Sequence, residues 1–219
     1  MTYAGRLDPM AEGVVLIIAG KELKNFHDHL TYDKEYRAQI LFNFSSDSYD
    51  VLGIPTYTDK KNDREKVKEV IKGFEGSFKF KLPPFSGYKI KGKPLFRWAL
   101  DGELDEVEIP SKKVEIYNIS INEIKYISKK ELKKSVEKKL SRVVGNFRQE
   151  KIKNKWNNLL TKDIKDRYII FDVTISCSTG CYIRSLANKA GDLVSNKALL
   201  FNLIRTRVGD KKIEFALTF

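Results

Sequence analysis

GRLDPMAEGVVLIIA, residues 5–19, sets an aspartate before a proline and follows it with a continuous apolar run. Pro9 biases Asp8 away from helical backbone, so its carboxylate is predicted on an extended or turning segment. The run 14–19 is short, apolar throughout and bounded by Gly13 and Gly20, which predicts a strand buried on both faces. Together they put a carboxylate at the lip of a rigid sheet. The same residues also suit a helix start, with Asp8 as cap, Pro9 first and Glu12 in the first turn. Residue chemistry leaves both readings open.

Working outward, 219 residues suit one large domain or two intimately packed subdomains. With 42% hydrophobic and 32% charged residues, the class is soluble and globular. Lys and Arg number 41 against 29 Asp and Glu, a net charge of +12, and that excess fits either a polyanionic partner or a solubilising lysine surface. Cys177 and Cys181 are too few for a disulfide framework. Their spacing, with His27 and His29 far upstream, lacks zinc-site patterns, so both are expected as reduced thiols of a cytosolic protein with no metal. The longest apolar run is broken by glycine within eight residues, too short to span a membrane.

Residues 22–30 carry Leu23, Phe26 and Leu30 at helical spacing, predicting a short amphipathic helix, and KEYRAQILFNF (34–44) reads as a strand. SSDSYDVLG (45–53) is a polar turn whose Asp and Ser side chains are expected to bond back to their own backbone. Asn62 and Glu65 stand at capping-box spacing before a helix with Val67, Val70, Ile71 and Phe74 on one stripe. LPPFSGYKIKGKPLFRWALDGE (82–103) interleaves Lys89, Lys91, Lys93 and Arg97 with Phe85, Tyr88, Phe96 and Trp98, cations for phosphates and rings for stacking or packing. Residues 114–127 alternate as a long strand. After it, Leu132, Val136, Leu140 and Val143 make one helical stripe, and Ile152, Trp156, Leu159 and Leu160 a second. Lys133, Lys134, Lys138 and Lys139 on the first of these helices fit either an extension of a polyanion-binding footprint or a solvated outer face, the second being the default for an outer helix. Finally, RYIIFDVTISCSTGCYIRSLANKAGDLV (167–194) is a strand and then a helix with Ile183, Leu186, Ala187, Ala190, Leu193 and Val194 on its stripe. Arg184 lies off that stripe near the helix start, where the helix dipole disfavours a cation, and a broken local rule marks function.

Stretches spread along the chain resemble, in order, the motifs of the bacterial tRNA pseudouridine-55 synthases, the TruB family. GRLDPMAEGVV resembles GxLDPxAxGVL, whose aspartate is the nucleophile, which implies that role for Asp8. Lys34, Tyr36 and Ala38 match KxYxA, whose tyrosine packs on the target uracil. Residues 82–103 resemble PPxxSAxKxxGxxLYexAR, part of a thumb that closes over the tRNA T-arm, with Lys89 among its substrate contacts. CSTGCYIRSLA matches CSxGTYIRSLA, implying that Arg184 pairs with the catalytic aspartate and that Tyr182 lies beside it; Cys181 replaces a threonine. LIRTRVG matches LRRTRVG, putting Leu203 in the uracil pocket. Tyr3 stands where many members carry histidine, and Ser46, Asp47, Ser48, Asp50 and Gly53 follow TDTxDxxG with serines for threonines.

The resemblance implies an α+β pseudouridine synthase fold over residues 1–219, with a mixed, mostly antiparallel central sheet flanked by helices. A thumb-like element is expected at about 82–103 and a helical insertion at about 128–164. The implied reaction is isomerisation of uridine to pseudouridine in the tRNA T-loop by base flipping, without metal or organic cofactor, in a cytoplasmic monomer. Family members carry a KPxGxTS stretch before the aspartate loop and often a PUA domain after the last motif, neither of which this sequence shows. The rival expectation is therefore a truncated, catalytically weak tRNA-binding or tRNA-folding protein.

Overall fold

A computed structural model of the chain describes residues 1–217. It opens with three short strands, β1 (Thr2–Ala4), β2 (Ala11–Gly13) and β3 (Leu16–Ile18), and one short helix, α1 (Phe26–Thr31). The strand β4 (Lys34–Phe42), the hairpin β5 (Phe44–Ser46) and β6 (Pro55–Tyr57), the helix α2 (Arg64–Lys72) and the strand β7 (Gly76–Lys81) follow. A hairpin of β8 (Lys89–Ile90) and β9 (Lys93–Pro94) then leads into α3 (Leu95–Asp101). The long β10 (Ser111–Ser128) is joined through α4 (Lys129–Ser141) and α5 (Gln149–Leu160) to β11 (Arg167–Cys177). Last come α6 (Ile183–Leu193), β12 (Ala198–Val208) and β13 (Lys211–Lys212).

The central sheet runs β13-β12-β4-β11-β10-β7, with β2 added beside β12. Only the β2–β12 pairing is parallel, so the sheet is mixed and mostly antiparallel, as the resemblance implies. Strand parity explains its burial: Ala38, Ile40 and Phe42 on β4 share one face and are fully buried. α6 lays Ile183, Leu186, Ala187 and Ala190 into the same core. The paired helices α4 and α5 bury Leu132, Val136 and Leu140, and Ile152, Trp156 and Leu160, as their stripes predict. Trp156 packs its ring on Phe44 at 5.3 Å and donates from Nε1 to the Val51 carbonyl at 3.1 Å. Burying such a side chain stabilises by roughly 2–3 kcal/mol, and it ties the helical pair to the 44–53 loop.

Several local expectations are corrected. The run 14–19 is not a strand buried on both faces: β3 is three residues long, pairs only with β1, and Ile17 is 56% exposed while Ile18 is buried. An apolar run is buried on both faces only if a second layer covers it, and none does among the described residues. No helix follows Asp8; Pro9 and Met10 turn directly into β2. Residues 22–30 form a 3-10 turn over Gly20–Asn25 and then the short α1, neither burying a side chain, so Leu23 has no core to hold it. The cap of α2 is Asp63, which accepts from the Glu65 and Lys66 N–H groups, while Asn62 donates to Asn43 Oδ1 at 2.7 Å. Leu193 ends exposed at the last turn of α6.

Candidate active site

The loop carrying Asp8 is fastened to β12 by backbone and by one buried arginine. Gly13 has φ 109°, and a Cβ there would fall 2.2 Å from the Arg205 carbonyl oxygen, so only glycine lets the two backbones meet. Val14 N–H donates to that carbonyl at 2.9 Å. The Arg205 side chain, itself buried, donates from Nε to the Val14 carbonyl at 2.7 Å and from Nη2 to the Gly5 carbonyl at 2.9 Å. One guanidinium thus holds both ends of the aspartate loop. The sequence reading did not single out Arg205, whose bonds run to backbone groups that no motif displays.

Arg184 rises from the first turn of α6 and is 3% exposed. Its Nε donates to Asp8 Oδ2 at 2.8 Å and its Nη2 to Asp8 Oδ1 at 2.7 Å, a bidentate pair across 176 positions of sequence. Nη1 donates to the Ser48 carbonyl at 3.1 Å and Nη2 also to the Phe85 carbonyl at 3.2 Å. Asp50 Oδ2 lies 3.7 Å from Nε. Burial works against the charged guanidinium, but Asp8 first and Asp50 second outweigh it and leave Arg184 above its ordinary pKa. The dipole penalty at the helix start is offset in the same way. The Asp8 side chain keeps 26% exposure, so its carboxylate is oriented by a buried cation and still open to a ligand.

Asp50 was expected only to brace its own loop, and it does: it accepts from Ser48 Oγ at 2.7 Å and from Leu52 N–H at 2.9 Å. A Cβ at Gly53 would fall within 2.6 Å of Ser46, Asp47 and Ser48 side-chain oxygens, which explains glycine there. Asp50 is also a charged neighbour of the Asp8–Arg184 pair. Its carboxyl is pushed up to about 6, chiefly by burial and further by Asp8, with Arg184 pulling the other way. Folded Asp50 therefore binds its proton more tightly than the unfolded chain, whose ordinary value is 3.8. The stability this contributes is present below about pH 4 and is lost as pH rises through about 6. Asp50→Asn is expected to flatten that slope in urea unfolding between pH 4 and 7; an unchanged slope would refute the assignment.

These groups open onto a cleft of about 670 Å³, within the range of small-ligand sites. Asp8, Tyr36, Tyr182, Arg184, Leu203 and Lys34 all line it. Leu203 and Ala38 are paired across β12 and β4, as are Arg205 and Tyr36. Burial pushes the Tyr36 and Tyr182 phenols up, so both are neutral at physiological pH. Lys34 is placed differently from a substrate cation. Its Nζ donates to the Leu30 carbonyl at 3.1 Å, to the Tyr32 carbonyl and to Thr179 Oγ1 at 2.9 Å, and burial lowers its pKa. It borders the cleft, but its ammonium is held by the loop carbonyls and the Thr179 hydroxyl. Tyr3 and Lys89 do not line the cleft: Tyr3 faces outward from β1 and Lys89 is exposed on β8. In the 82–103 element, Lys93 is paired with Asp101 and Glu103 at 2.6 Å each and lies over the Trp98 ring at 4.3 Å, so its charge is already used. Among the described residues no cluster of His, Cys, Asp and Glu could hold a metal ion, and no helix is long and apolar enough to cross a membrane.

A model of the N-terminal domain of TruB family pseudouridylate synthases matches residues 1–140. Over 219 residues the chain is 30% identical to tRNA pseudouridine synthase B of Malacoplasma penetrans (strain HF-2), covering 99% of this chain and 76% of that protein. The chain belongs to the TruB family. It is also 30% identical over 223 residues to tRNA pseudouridine synthase B of Caldanaerobacter subterraneus subsp. tengcongensis, spanning 61% of that protein. Among solved structures it is similar to a chain in the crystal structure of a Cbf5-Nop10-Gar1 complex, with a TM-score of 0.54 and 19% identity over 96% of this chain and 40% of that one. At that identity the likeness establishes the fold. TruB family members are isomerases, and in this one the bidentate Asp8–Arg184 pair stands at the cleft.

Proposed function

We propose that this chain isomerises uridine to pseudouridine in the T-loop of tRNA, with Asp8 as the nucleophile. The observation that carries the reading is a carboxylate held in bidentate geometry by a buried arginine yet open to a cleft lined by Tyr36 and Leu203. Isomerisation breaks the N1–C1′ bond, turns the base and forms C5–C1′; C5 gives up a proton and N1 gains one. Atoms and oxidation state balance without a redox partner. Asp8 holds the ribose or base while the glycosidic bond is broken. Arg184 fixes the carboxylate so that little reorganisation is needed when charge moves. A uridine stacked in a loop does not expose C5 and C1′, so it must be flipped out, and the partly exposed ring of Tyr36 with apolar Leu203 on the neighbouring strand offers a face and a wall for the extruded base.

The test is carbodiimide mapping of a tRNA transcript after incubation with the chain, beside a transcript carrying cytidine at position 55. The expected result is a single new stop at position 55, absent from the cytidine transcript. Modification elsewhere, or none, would overturn the T-loop assignment.

A further inference from the structure

The loop joining α4 to α5 does not project into solvent away from the site. Val143, Phe147, Arg148 and Ile152 line the same cleft as Asp8. The helical pair is fastened at three points around its rim. Lys139 Nζ donates to Asn202 Oδ1 at 2.8 Å, Arg142 pairs with Glu12 at 3.2 Å, and Arg148 pairs with Asp47 at 2.8 Å while lying 4.4 Å from the Phe85 ring centre. Asp47 is one residue from Ser48, whose carbonyl receives Arg184. The tip is also braced internally. Gln149 Oε1 accepts from Phe147 N–H at 2.8 Å, and its Nε2 donates to the Gly145 carbonyl at 2.6 Å. Yet this loop leaves Phe147 46% and Val144 91% exposed, and Phe147 does so while lining the cleft.

Charge is concentrated in the same element. Residues 128–164 hold twelve Lys and Arg against four Asp and Glu, a net +8 of the chain's +12. Among the described residues, Lys134, Lys138 and Lys151 are exposed and have no carboxylate within 4 Å. A solvated face needs no excess of one sign, since interspersed charges keep a helix soluble equally well. An exposed ring at the tip and unpaired cations on the same helical pair match instead the chemistry of an RNA loop, with splayed bases for stacking and phosphates for the lysines.

We propose that the α4–α5 pair is an RNA-binding arm of the reactive cleft. Phe147 stacks on a nucleotide neighbouring the one that reacts, Lys134, Lys138 and Lys151 take phosphates, and Arg148 positions the tip against the 44–53 loop. The inference rests on the cleft being an RNA site. It is tested on the full chain with a tRNA transcript, measuring Kd, its salt dependence and the single-turnover rate at saturating tRNA. Phe147→Ala is expected to raise Kd about tenfold, as loss of one base–ring stack does, with a smaller effect on the rate at saturation. Phe147→Tyr, which keeps the ring, is expected to bind within about twofold of the parent. Replacing Lys134, Lys138 and Lys151 together by glutamine is expected to reduce the slope of log Kd against log salt by about two. If Phe147→Ala binds like the parent, if the tyrosine variant loses as much as the alanine, or if the slope is unchanged, the proposal falls. A parent chain that still isomerises tRNA leaves the function standing in those cases; a parent that binds no tRNA removes both.

Discussion

Asp8→Asn is expected to lower the single-turnover rate of uridine isomerisation by at least about 10⁴-fold, the scale seen when a reacting group is removed from an enzyme. Asparagine keeps the shape of the side chain and can still accept one Arg184 N–H, so the geometry of the loop survives while the nucleophile does not. The substitution also costs the fold little. Asp8 is partly exposed, and Arg184 retains Asp50, the Ser48 carbonyl and the Phe85 carbonyl as partners. The measurement is a single-turnover time course at saturating tRNA, with thermal melting and tRNA binding run in parallel. A rate within tenfold of the parent, with melting and binding unchanged, would take the nucleophile away from Asp8.

The sheet and the long helices were legible because their signals are local. The alternation of 114–127 and the stripes at Leu132, Val136 and Leu140, or Ile183, Leu186 and Ala187, depend only on residues within a few turns. The Asp8–Arg184 pair was legible in a different way. Nothing in spacing joins Asp8 to Arg184; only the resemblance of the two motifs did, and the structure brings the two side chains into a bidentate contact. What escaped depends on neighbours remote in sequence. The exposure of Ile17 follows from the missing layer over β1 and β3. Lys34 matches the motif, but its ammonium is taken by the Leu30 and Tyr32 carbonyls. Lys89 matches in type and Tyr3 keeps an aromatic ring where many members carry histidine, yet both lie away from the cleft, because strand parity in β1 and the course of the β8–β9 hairpin are set by pairings that a motif does not record. Asp50 was read as a loop brace because its hydroxyl and backbone partners are local, whereas Arg184 is 134 positions away. The serine hydroxyls of Ser46 and Ser48 around it were the available clue that this carboxylate is buried.

Arg184 is where fold and chemistry depend on the same bonds, and its removal is expected to damage both. Arg184→Ala strands the buried Asp50 carboxylate and unpairs Asp8, and leaving a buried charge without its partner destabilises by about 3–5 kcal/mol. Arg184→Lys retains a cation but cannot supply the planar fork that meets both Asp8 oxygens while reaching the Ser48 and Phe85 carbonyls. It is expected to fold, with a single-turnover rate lower by about 10²-fold, the scale for a misplaced positioning group. Because the stability loss is mainly the cost of stranded charge, it should shrink when that charge is removed. Adding Asp50→Asn to Arg184→Ala is expected to recover at least about 1 kcal/mol relative to the sum of the single changes, a coupling typical of groups in one network. Acid should act in the same direction. Without its cation, Asp50 is held in the neutral form to higher pH than in the parent, so the deficit of Arg184→Ala in urea unfolding is smaller at pH 5 than at pH 8. Strict additivity of the two substitutions together with a deficit independent of pH would mean that Arg184 supports the fold through packing alone. The carboxylates around it would then have to be balanced by some other group. The buried bidentate contact argues against that outcome, since the guanidinium meets both Asp8 oxygens within 2.8 Å and its Nε lies 3.7 Å from Asp50.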